Sequence, residues 1–279
     1  MKISDRPRGE AHVFRDMGLG DVLMCTPAMR ALKRADPDIQ IFFYTDLPAV
    51  VRGLSYIDHV LPSEQRPPHA IYMSYDVPPP AGHLGMQLGG KLGVAVDDAR
   101  PDCVVEPVLV DRFRAQWRDL PRPIIVVQRL AGWWTTNKNW PNKNWHRLLA
   151  RLAMNVTIVE IGEFAVEAGE PAYPHYFDLR GRTNLSELAA CIAAADILVG
   201  PVSGPTHIAA AVRTPAVIIL GGYEVADNAH YEGNRTLALT LPCSPCWLRT
   251  PCPIDRACLR GIDPETVEQS IRDVWGTGR

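Results

Sequence analysis

One short segment near the N-terminus has residue types that could activate a substrate. Gly18-Leu19-Gly20-Asp21 follows a predicted strand and opens a predicted helix. Glycine lets the backbone approach a ligand closely, and the Asp21 carboxylate could act as a general base that takes a proton from a hydroxyl. The alternative is that Asp21 caps the helix. The segment lacks the third glycine of the dinucleotide fingerprint and the Gly-Lys of a P-loop, so neither kind of site is predicted.

A second segment, Ser203-Gly204-Pro205-Thr206-His207, lies between a predicted strand and an alanine-rich helix. Backbone N–H groups of Ser203 and Gly204 at the start of a helix would suit a phosphate, because they carry the positive end of the helix dipole. His207 could face that ligand or pack in the core. The residues alone leave both interpretations open.

The third segment follows the strand that opens the second half of the chain. Lys138 lies among hydroxyl and amide side chains, including that of Thr136, and could hold an anionic group. Lys143 competes for that role, and a solvated loop is the alternative interpretation. Tryptophans flank the segment and could form an apolar wall: Trp133, Trp134 and Trp140.

A fourth segment is rich in cysteine. Four of the seven cysteines follow the spacing C-x2-C-x5-C-x5-C, at Cys243, Cys246, Cys252 and Cys258. Four thiolates this close together suit tetrahedral zinc or iron, with a structural rather than a catalytic role. The alternative is that the thiols bind no metal. This loop, residues 243–258, precedes a predicted C-terminal helix.

The elements that must position these residues indicate an α/β protein with parallel sheets, because short apolar runs alternate with helical patterns. We predict two domains, residues 1–115 and 116–279. Ligands of such sheets bind at the carboxyl ends of the strands, which is where the first three segments lie. Predicted strands span 12–15, 39–45, 70–74, 123–128, 156–161, 197–200 and 216–220; predicted helices span 21–35, 83–92, 144–154, 184–195 and 206–212, with another after Asp263-Pro264.

Composition excludes several classes of protein. The 279 residues carry 29 Lys and Arg against 31 Asp and Glu, so the net charge of -2 argues against a nucleic-acid partner. Hydrophobic residues make up 47% of the chain, which is enough for a sizeable core. We expect no transmembrane segment, because no apolar run approaches the length of a bilayer span, although peripheral membrane association stays open. The charged N-terminus and the odd cysteine count predict a cytoplasmic protein.

Four stretches together resemble glycosyltransferase family 9, the ADP-heptose:lipopolysaccharide heptosyltransferases. GLGDVLMCTPAMRALK is similar to the family's LGDxxxxTPAL segment, and TTNKNWPNKNW to its K-x-W-P donor segment. DLRGRTNLSELAACIAAADILVGPVSGPTHIAAAVRTPAVIILGG resembles the longest signature of the family. CSPCWLRTPCP is similar to a cysteine-bearing segment near the C-terminus of many members.

The resemblance implies a GT-B architecture, in which two Rossmann-like domains with parallel sheets face a central cleft. It implies an inverting glycosyltransferase that needs no metal for the chemistry. The enzyme would transfer a sugar from a nucleotide-sugar donor to an acceptor hydroxyl. The donor would be ADP-heptose or another nucleotide sugar. Carried over by position, Asp21 is the general base, in a loop that Gly18 and Gly20 shape. The donor-binding residues are Thr136, Lys138, Ser203, Gly204 and His207.

Two features depart from the family pattern. Val202 stands where the family usually has an acidic residue before Ser-Gly, so a carboxylate that could bind donor hydroxyls is missing. The N-terminal domain is also shortened, which leaves a lipopolysaccharide core, another glycan, a protein or a small molecule as the acceptor. Two other functions stay open: a non-catalytic nucleotide-sugar-binding or assembly protein, and a GT-B sugar-nucleotide epimerase.

Overall fold

The computed structural model describes residues 9–79, 81–132, 134–163 and 173–277. The chain divides into two compact units. The N-terminal unit extends to Val104 and also includes Asp227–Tyr231, and the C-terminal unit comprises Val105–Ala226 and the residues from Glu232 onward.

The N-terminal unit contains a four-stranded parallel sheet in the order β3-β2-β1-β4. In the central strand β1, Ala11 and Val13 are fully buried and alternate with partly exposed residues. The bounds are β1 Glu10–Phe14, α1 Leu19–Met24, α2 Thr26–Ala35, β2 Gln40–Tyr44, β3 His59–Leu61, β4 Ile71–Tyr72 and α3 Leu84–Leu92.

The predicted first helix is two helices that meet at Cys25. Pro27 lies in the first turn of α2, where a missing backbone N–H costs nothing, and its fixed φ favours a new helix start. The Thr26 hydroxyl donates to the Leu23 carbonyl at 2.7 Å and so satisfies an oxygen at the end of α1. The break leaves α1 as a short helix whose first turn contains Asp21.

The C-terminal unit contains a six-stranded parallel sheet in the order β10-β9-β8-β5-β6-β7. The central strands β5, β6, β8 and β9 are buried along their whole length, as expected for a parallel sheet covered on both faces. The bounds are α4 Pro107–Gln116, β5 Ile124–Gln128, α5 Asn142–Leu152, β6 Thr157–Ile161, β7 Tyr176–Asp178, α6 Leu185–Ala194, β8 Ile197–Gly200, α7 Gly204–Ala211, β9 Ala216–Ile219, β10 Arg235–Leu237, α8 Ala257–Arg260 and α9 Pro264–Thr277.

Local sequence signals explain where several of these helices begin. Asn184 accepts a hydrogen bond from the Glu187 amide at 2.9 Å, and the Glu187 carboxylate accepts one from the Asn184 amide at 3.1 Å. This is the capping box that the sequence predicts at the start of α6. Pro264 opens α9, also as predicted.

The structure contains elements that the sequence pattern misses: β3, β7, β10, α4 and α8. All of helix α4 belongs to the C-terminal unit, whereas the predicted division between residues 115 and 116 puts all but its last residue in the first domain. It packs against α6, and Arg112 contacts Glu187 at 2.9 Å. Within the described residues, no helix combines the length and the apolar composition that a membrane crossing needs.

Candidate functional site

Asp21 lies in the first turn of α1, and its carboxylate is held by two neighbours. Arg15, just past the end of β1, places Nη2 at 2.7 Å from Oδ2, and the Tyr75 hydroxyl donates to Oδ1 at 2.7 Å. The side chain remains 24% exposed. Each carboxylate oxygen has a second lone pair, so both can still accept a hydrogen bond from a bound hydroxyl.

The cation beside Asp21 is itself fixed in place. Arg15 donates to the Tyr72 hydroxyl at 3.1 Å and to the Met73 carbonyl at 3.3 Å. Burial lowers the pKa of Arg15, but the charge and hydrogen bond of Asp21, together with smaller contributions from Tyr72 and Cys25, outweigh burial, so the pKa is raised. Arg15 is therefore a permanently charged partner that orients the Asp21 carboxylate.

Gly18 is required for this arrangement. It has φ +83°, a conformation that favours glycine, and serves as the N-cap of α1 without a side-chain cap. A Cβ added at Gly18 would collide with Asp21 Oδ2. No side chain therefore caps the N-terminus of α1, and the Asp21 carboxylate occupies the space beside Gly18.

We expect Gly18→Ala to lower turnover and Gly9→Ala to leave it unchanged. Gly9 has φ +92° with no atom within 4 Å of an added Cβ, so it is a matched control for backbone strain. Each substitution should cost about 1 kcal/mol of folding free energy because alanine disfavours positive φ. Only Gly18→Ala displaces the Asp21 carboxylate. Thermal unfolding measures the loss of folding free energy, and initial rates measure turnover. Equal rates in the two variants would contradict this role of Gly18.

The remaining candidate residues lie at the carboxyl edge of the C-terminal sheet. Three loops meet there because β9, β8 and β5 are adjacent parallel strands. Lys138 follows β5, Ser203 follows β8, and Glu224 follows β9. The loops are connected directly, since the Ser203 hydroxyl bonds the Gln128 side chain and Trp134 Nε1 donates to the Tyr223 hydroxyl at 3.1 Å. This edge is where parallel α/β sheets bind ligands.

Lys138 lies in a 3₁₀ turn, Thr136–Lys138, and forms an ion pair at this edge. Its Nζ is 2.6 Å from Glu224 Oε1 and 5.0 Å from the centroid of the Tyr223 ring. Thr136 is exposed beside it, whereas the competing Lys143 lies on the exposed side of α5. The ammonium group of Lys138 is therefore held in a defined position by an acidic and an aromatic side chain.

Ser203 and Gly204 form the start of α7. The helix begins at Gly204, two residues earlier than predicted, so Ser203 is its N-cap. The N-terminal end of α7 thus points its partial positive charge toward the loop that contains Ser203. Val202 is only 8% exposed and His207 only 3%, so neither side chain presents an open surface to solvent.

The cysteine-containing loop anchors the lysine segment. Asn137 donates to the carbonyls of Leu248 and Thr250 at 2.9 and 2.8 Å, and it accepts from the Cys252 amide at 3.2 Å. The Thr135 hydroxyl caps the 3₁₀ turn by accepting from the Asn137 amide at 3.1 Å. These bonds fix the backbone on which Lys138 and Thr136 stand.

The predicted tryptophan wall is divided among different environments. Trp134 is 42% exposed, and the Arg249 guanidinium lies 3.8 Å from its ring centroid. Trp140 is buried in the core and donates to the Ile262 carbonyl at 3.0 Å. Trp133 lies outside the described residues.

The four cysteines of residues 243–258 do not form a metal centre in this structure. Burial raises the pKa of the Cys246 thiol, a hydrogen bond from the Leu248 backbone lowers it, and the Cys258, Cys243 and Cys252 thiols raise it further. The four sulfurs therefore lie in one neighbourhood. In the part of the chain that the structure describes, however, no three His, Cys, Asp or Glu side chains are arranged to hold a metal ion. Thiols are ligands that zinc and iron prefer, but the arrangement of these four does not support a structural metal site. The site stays a prediction from the sequence.

Elemental analysis tests that prediction. If Cys243, Cys246, Cys252 and Cys258 share one ion, protein purified without chelator contains close to one zinc or iron per chain. Cys246→Ser then lowers metal content and stability together, because binding of a structural metal is coupled to folding. Cys103→Ser is the control, since Cys103 lies in the N-terminal unit. The absence of stoichiometric metal from the parent protein would exclude the site.

Sequence reasoning misses three residues that contact the candidate residues. Arg15 and Tyr75 hold Asp21, and Glu224 holds Lys138. Arg15 had a usable signal, because it follows the β1 strand directly. Glu224 follows β9 in the same way, but no local pattern links it to Lys138.

Comparisons with known proteins give one matching family model and several similar proteins. Residues 91–253, more than half of the chain, match the model of glycosyltransferase family 9 (heptosyltransferase). A lipooligosaccharide heptosyltransferase 2 of Campylobacter jejuni is 27% identical over 100 residues, which are 35% of this chain and 31% of that protein. The chain thus spans about a third of the length of the curated relatives it matches.

Solved structures share the fold along nearly the whole chain. A glycosyltransferase of family 9 from Veillonella parvula superposes with a TM-score of 0.74 at 15% identity, over 99% of both chains. TibC from enterotoxigenic E. coli, a dodecameric iron-containing heptosyltransferase solved in complex with ADP-D-beta-D-heptose, gives a TM-score of 0.73 at 18% identity. That match covers 99% of this chain and 78% of TibC. The predicted α/β fold with parallel sheets, matching GT-B heptosyltransferase structures, is confirmed.

Proposed function

Because the chain belongs to glycosyltransferase family 9, a heptosyltransferase family, we propose that it is an inverting glycosyltransferase whose donor is a nucleotide sugar, ADP-heptose. The acceptor is a hydroxyl group of a glycan, a protein or a small molecule. The observation that carries the proposal is that each unit holds one charged group in a segment resembling a family motif: the Asp21 carboxylate in the N-terminal unit and the Lys138 ammonium group in the C-terminal unit.

Asp21 is the general base of the proposed reaction. The acceptor hydroxyl oxygen attacks the anomeric carbon of the donor, the bond from that carbon to the diphosphate oxygen breaks, and Asp21 takes the hydroxyl proton. The exposure of the Asp21 carboxylate supports this role, as does its fixed orientation between Arg15 and Tyr75. A positioned base of this kind contributes ~10²–10⁴-fold to a rate.

Lys138 and the start of α7 stabilise the leaving diphosphate. Negative charge grows on the departing oxygen, and a fixed ammonium group with a helix N-terminus lowers the energy of that charge. Thr136 lies beside Lys138, while Ser203 and Gly204 form the helix start. His207 is buried on α7, so its proposed contribution is to the wall behind the donor sugar.

A binding screen tests the donor assignment. We expect ADP-heptose to raise the thermal unfolding midpoint more than UDP-glucose or UDP-N-acetylglucosamine at equal concentration, because the ligand with the higher affinity stabilises the native state more. Formation of ADP from ADP-heptose, measured on the same samples, then separates a transferase from a protein that only binds the donor. Selective stabilisation by a UDP-sugar would contradict the proposed donor.

A further inference from the structure

Glu224 is a buried carboxylate at the candidate donor site. It follows β9, whose carboxyl end is next to that of β8, and it is 5% exposed as a residue. The two residues before it are held by the cysteine-containing loop: the Gly222 carbonyl accepts from the Cys246 amide at 3.3 Å, and the Tyr223 carbonyl accepts from the Trp247 amide at 3.1 Å. A Cβ at Gly222 would collide with the Ser244 hydroxyl, so the two loops pack closely.

The Glu224 carboxylate has unused hydrogen-bonding capacity. Its Oε1 is 2.6 Å from Lys138 Nζ, yet among the described residues this oxygen accepts no hydrogen bond of standard geometry. A carboxylate accepts about four hydrogen bonds, and burying one that is incompletely satisfied is unfavourable. Such a group is available to a ligand with several hydroxyl donors.

The ion pair cannot remain unchanged when a diphosphate binds to Lys138. A phosphate and a carboxylate that both contact one ammonium group repel each other, and the repulsion is strongest where both anions are shielded from water. The diphosphate therefore competes with Glu224 for Lys138. Glu224 is then left facing the donor without its cation.

Position 202, just before the start of α7, is a valine and offers no carboxylate to a donor. Val202 precedes Ser203 and is buried. Position 202 follows β8 and position 224 follows β9, at the same edge of the sheet. A carboxylate can thus come from the neighbouring strand end.

Taking the proposed function as its premise, we infer that Glu224 is a specificity-determining residue for the donor sugar. In the unliganded protein it neutralises Lys138. When the donor diphosphate takes over Lys138, the Glu224 carboxylate accepts hydrogen bonds from hydroxyl groups of the transferred sugar. It thereby supplies a carboxylate that Val202, at the neighbouring strand end, cannot supply.

Calorimetric titration tests this assignment. The affinities for ADP and for ADP-heptose are measured for three proteins: the parent, Glu224→Gln and Glu265→Gln. Glu265 is a matched control because its carboxylate pairs with Arg147 and Arg151 on the surface. We expect Glu224→Gln to bind ADP more tightly, since a competing anion is gone. We expect the preference for ADP-heptose over ADP to fall about tenfold, because charge-assisted hydrogen bonds to the sugar are lost. The control should match the parent with both ligands.

The alternatives give different results. If Glu224 is only a counter-ion of Lys138, Glu224→Gln tightens binding of both ligands by the same factor, and the inference is wrong. Unchanged binding of both ligands also overturns it. If the folded parent binds neither ligand, the proposed function fails and the inference with it. If Glu224→Gln does not fold, the Lys138→Gln single variant is compared with the Lys138→Gln/Glu224→Gln double variant. The double variant leaves neither charge unpaired, and the preference for ADP-heptose over ADP in the two proteins again reports the role of Glu224.

Discussion

Asp21→Asn should lower turnover by at least ~10²-fold, the usual scale for loss of a general base. The affinity for ADP-heptose should stay nearly unchanged. Asparagine keeps the size of the side chain and can still accept a hydrogen bond from Tyr75, but it cannot take up a proton at neutral pH. Donor affinity should persist because the proposed phosphate-binding residues belong to the other unit. Initial rates and calorimetric titration on the same preparation measure both quantities.

The control for this prediction is Asp38→Asn, an exposed carboxylate in the turn before β2. Thermal unfolding of both variants is needed, because Asp21→Asn also leaves the partly buried Arg15 without its charge partner. Turnover of a folded Asp21→Asn protein within a few-fold of the parent would contradict the role of Asp21 as base. The Asp21–Arg15 ion pair would then be structural.

Lys138→Ala is expected to weaken binding of ADP-heptose roughly tenfold to a hundredfold, the range for loss of charge-assisted hydrogen bonds. Removal of the ammonium group also leaves the buried Glu224 carboxylate unpaired, so it would repel the diphosphate. Lys143→Ala is the matched control, because Lys143 is an exposed lysine nearby on α5. Equal effects of the two substitutions, or a larger effect at Lys143, would mean that the phosphate site has been assigned to the wrong segment.

Much of the fold could be predicted from the sequence because its strongest elements have local causes. Helix α6 starts at a capping box that Asn184 and Glu187 form, and α9 starts at Pro264. The buried strands β8 and β9 are continuous apolar runs, β5 is apolar up to Gln128, and β6 is apolar except for Thr157 and Glu160. Such runs need little tertiary information to recognise.

The missed strands have a common physical reason. β3, β7 and β10 are three residues long and lie at the edges of their sheets, where a strand pairs on one side only. Edge strands tolerate polar residues, and natural proteins keep them short, so they leave a weak pattern. Helix α4 has a weakly apolar face, with Val110 and Phe113 buried, and its position depends on packing against α6.

The candidate site could be predicted only in part. The glycine turn before Asp21 and the lysine segment are local patterns, so they are visible in the sequence. The residues that hold them, Tyr75 and Glu224, are distant in the chain and reach the site through the order of the parallel strands. Side-chain pairing of this kind depends on tertiary contacts, which local sequence patterns do not reveal.

The measurement that most directly tests the central claim, that this chain is an inverting glycosyltransferase with ADP-heptose as donor, follows ADP-heptose and its products by NMR. We expect the parent protein to release ADP, with the first sugar product carrying the anomeric configuration opposite to that of the donor. This holds even when water is the acceptor. Asp21→Asn should release ADP at least ~10²-fold more slowly. Binding of ADP-heptose without any ADP formation, or a product with retained configuration, would contradict the account.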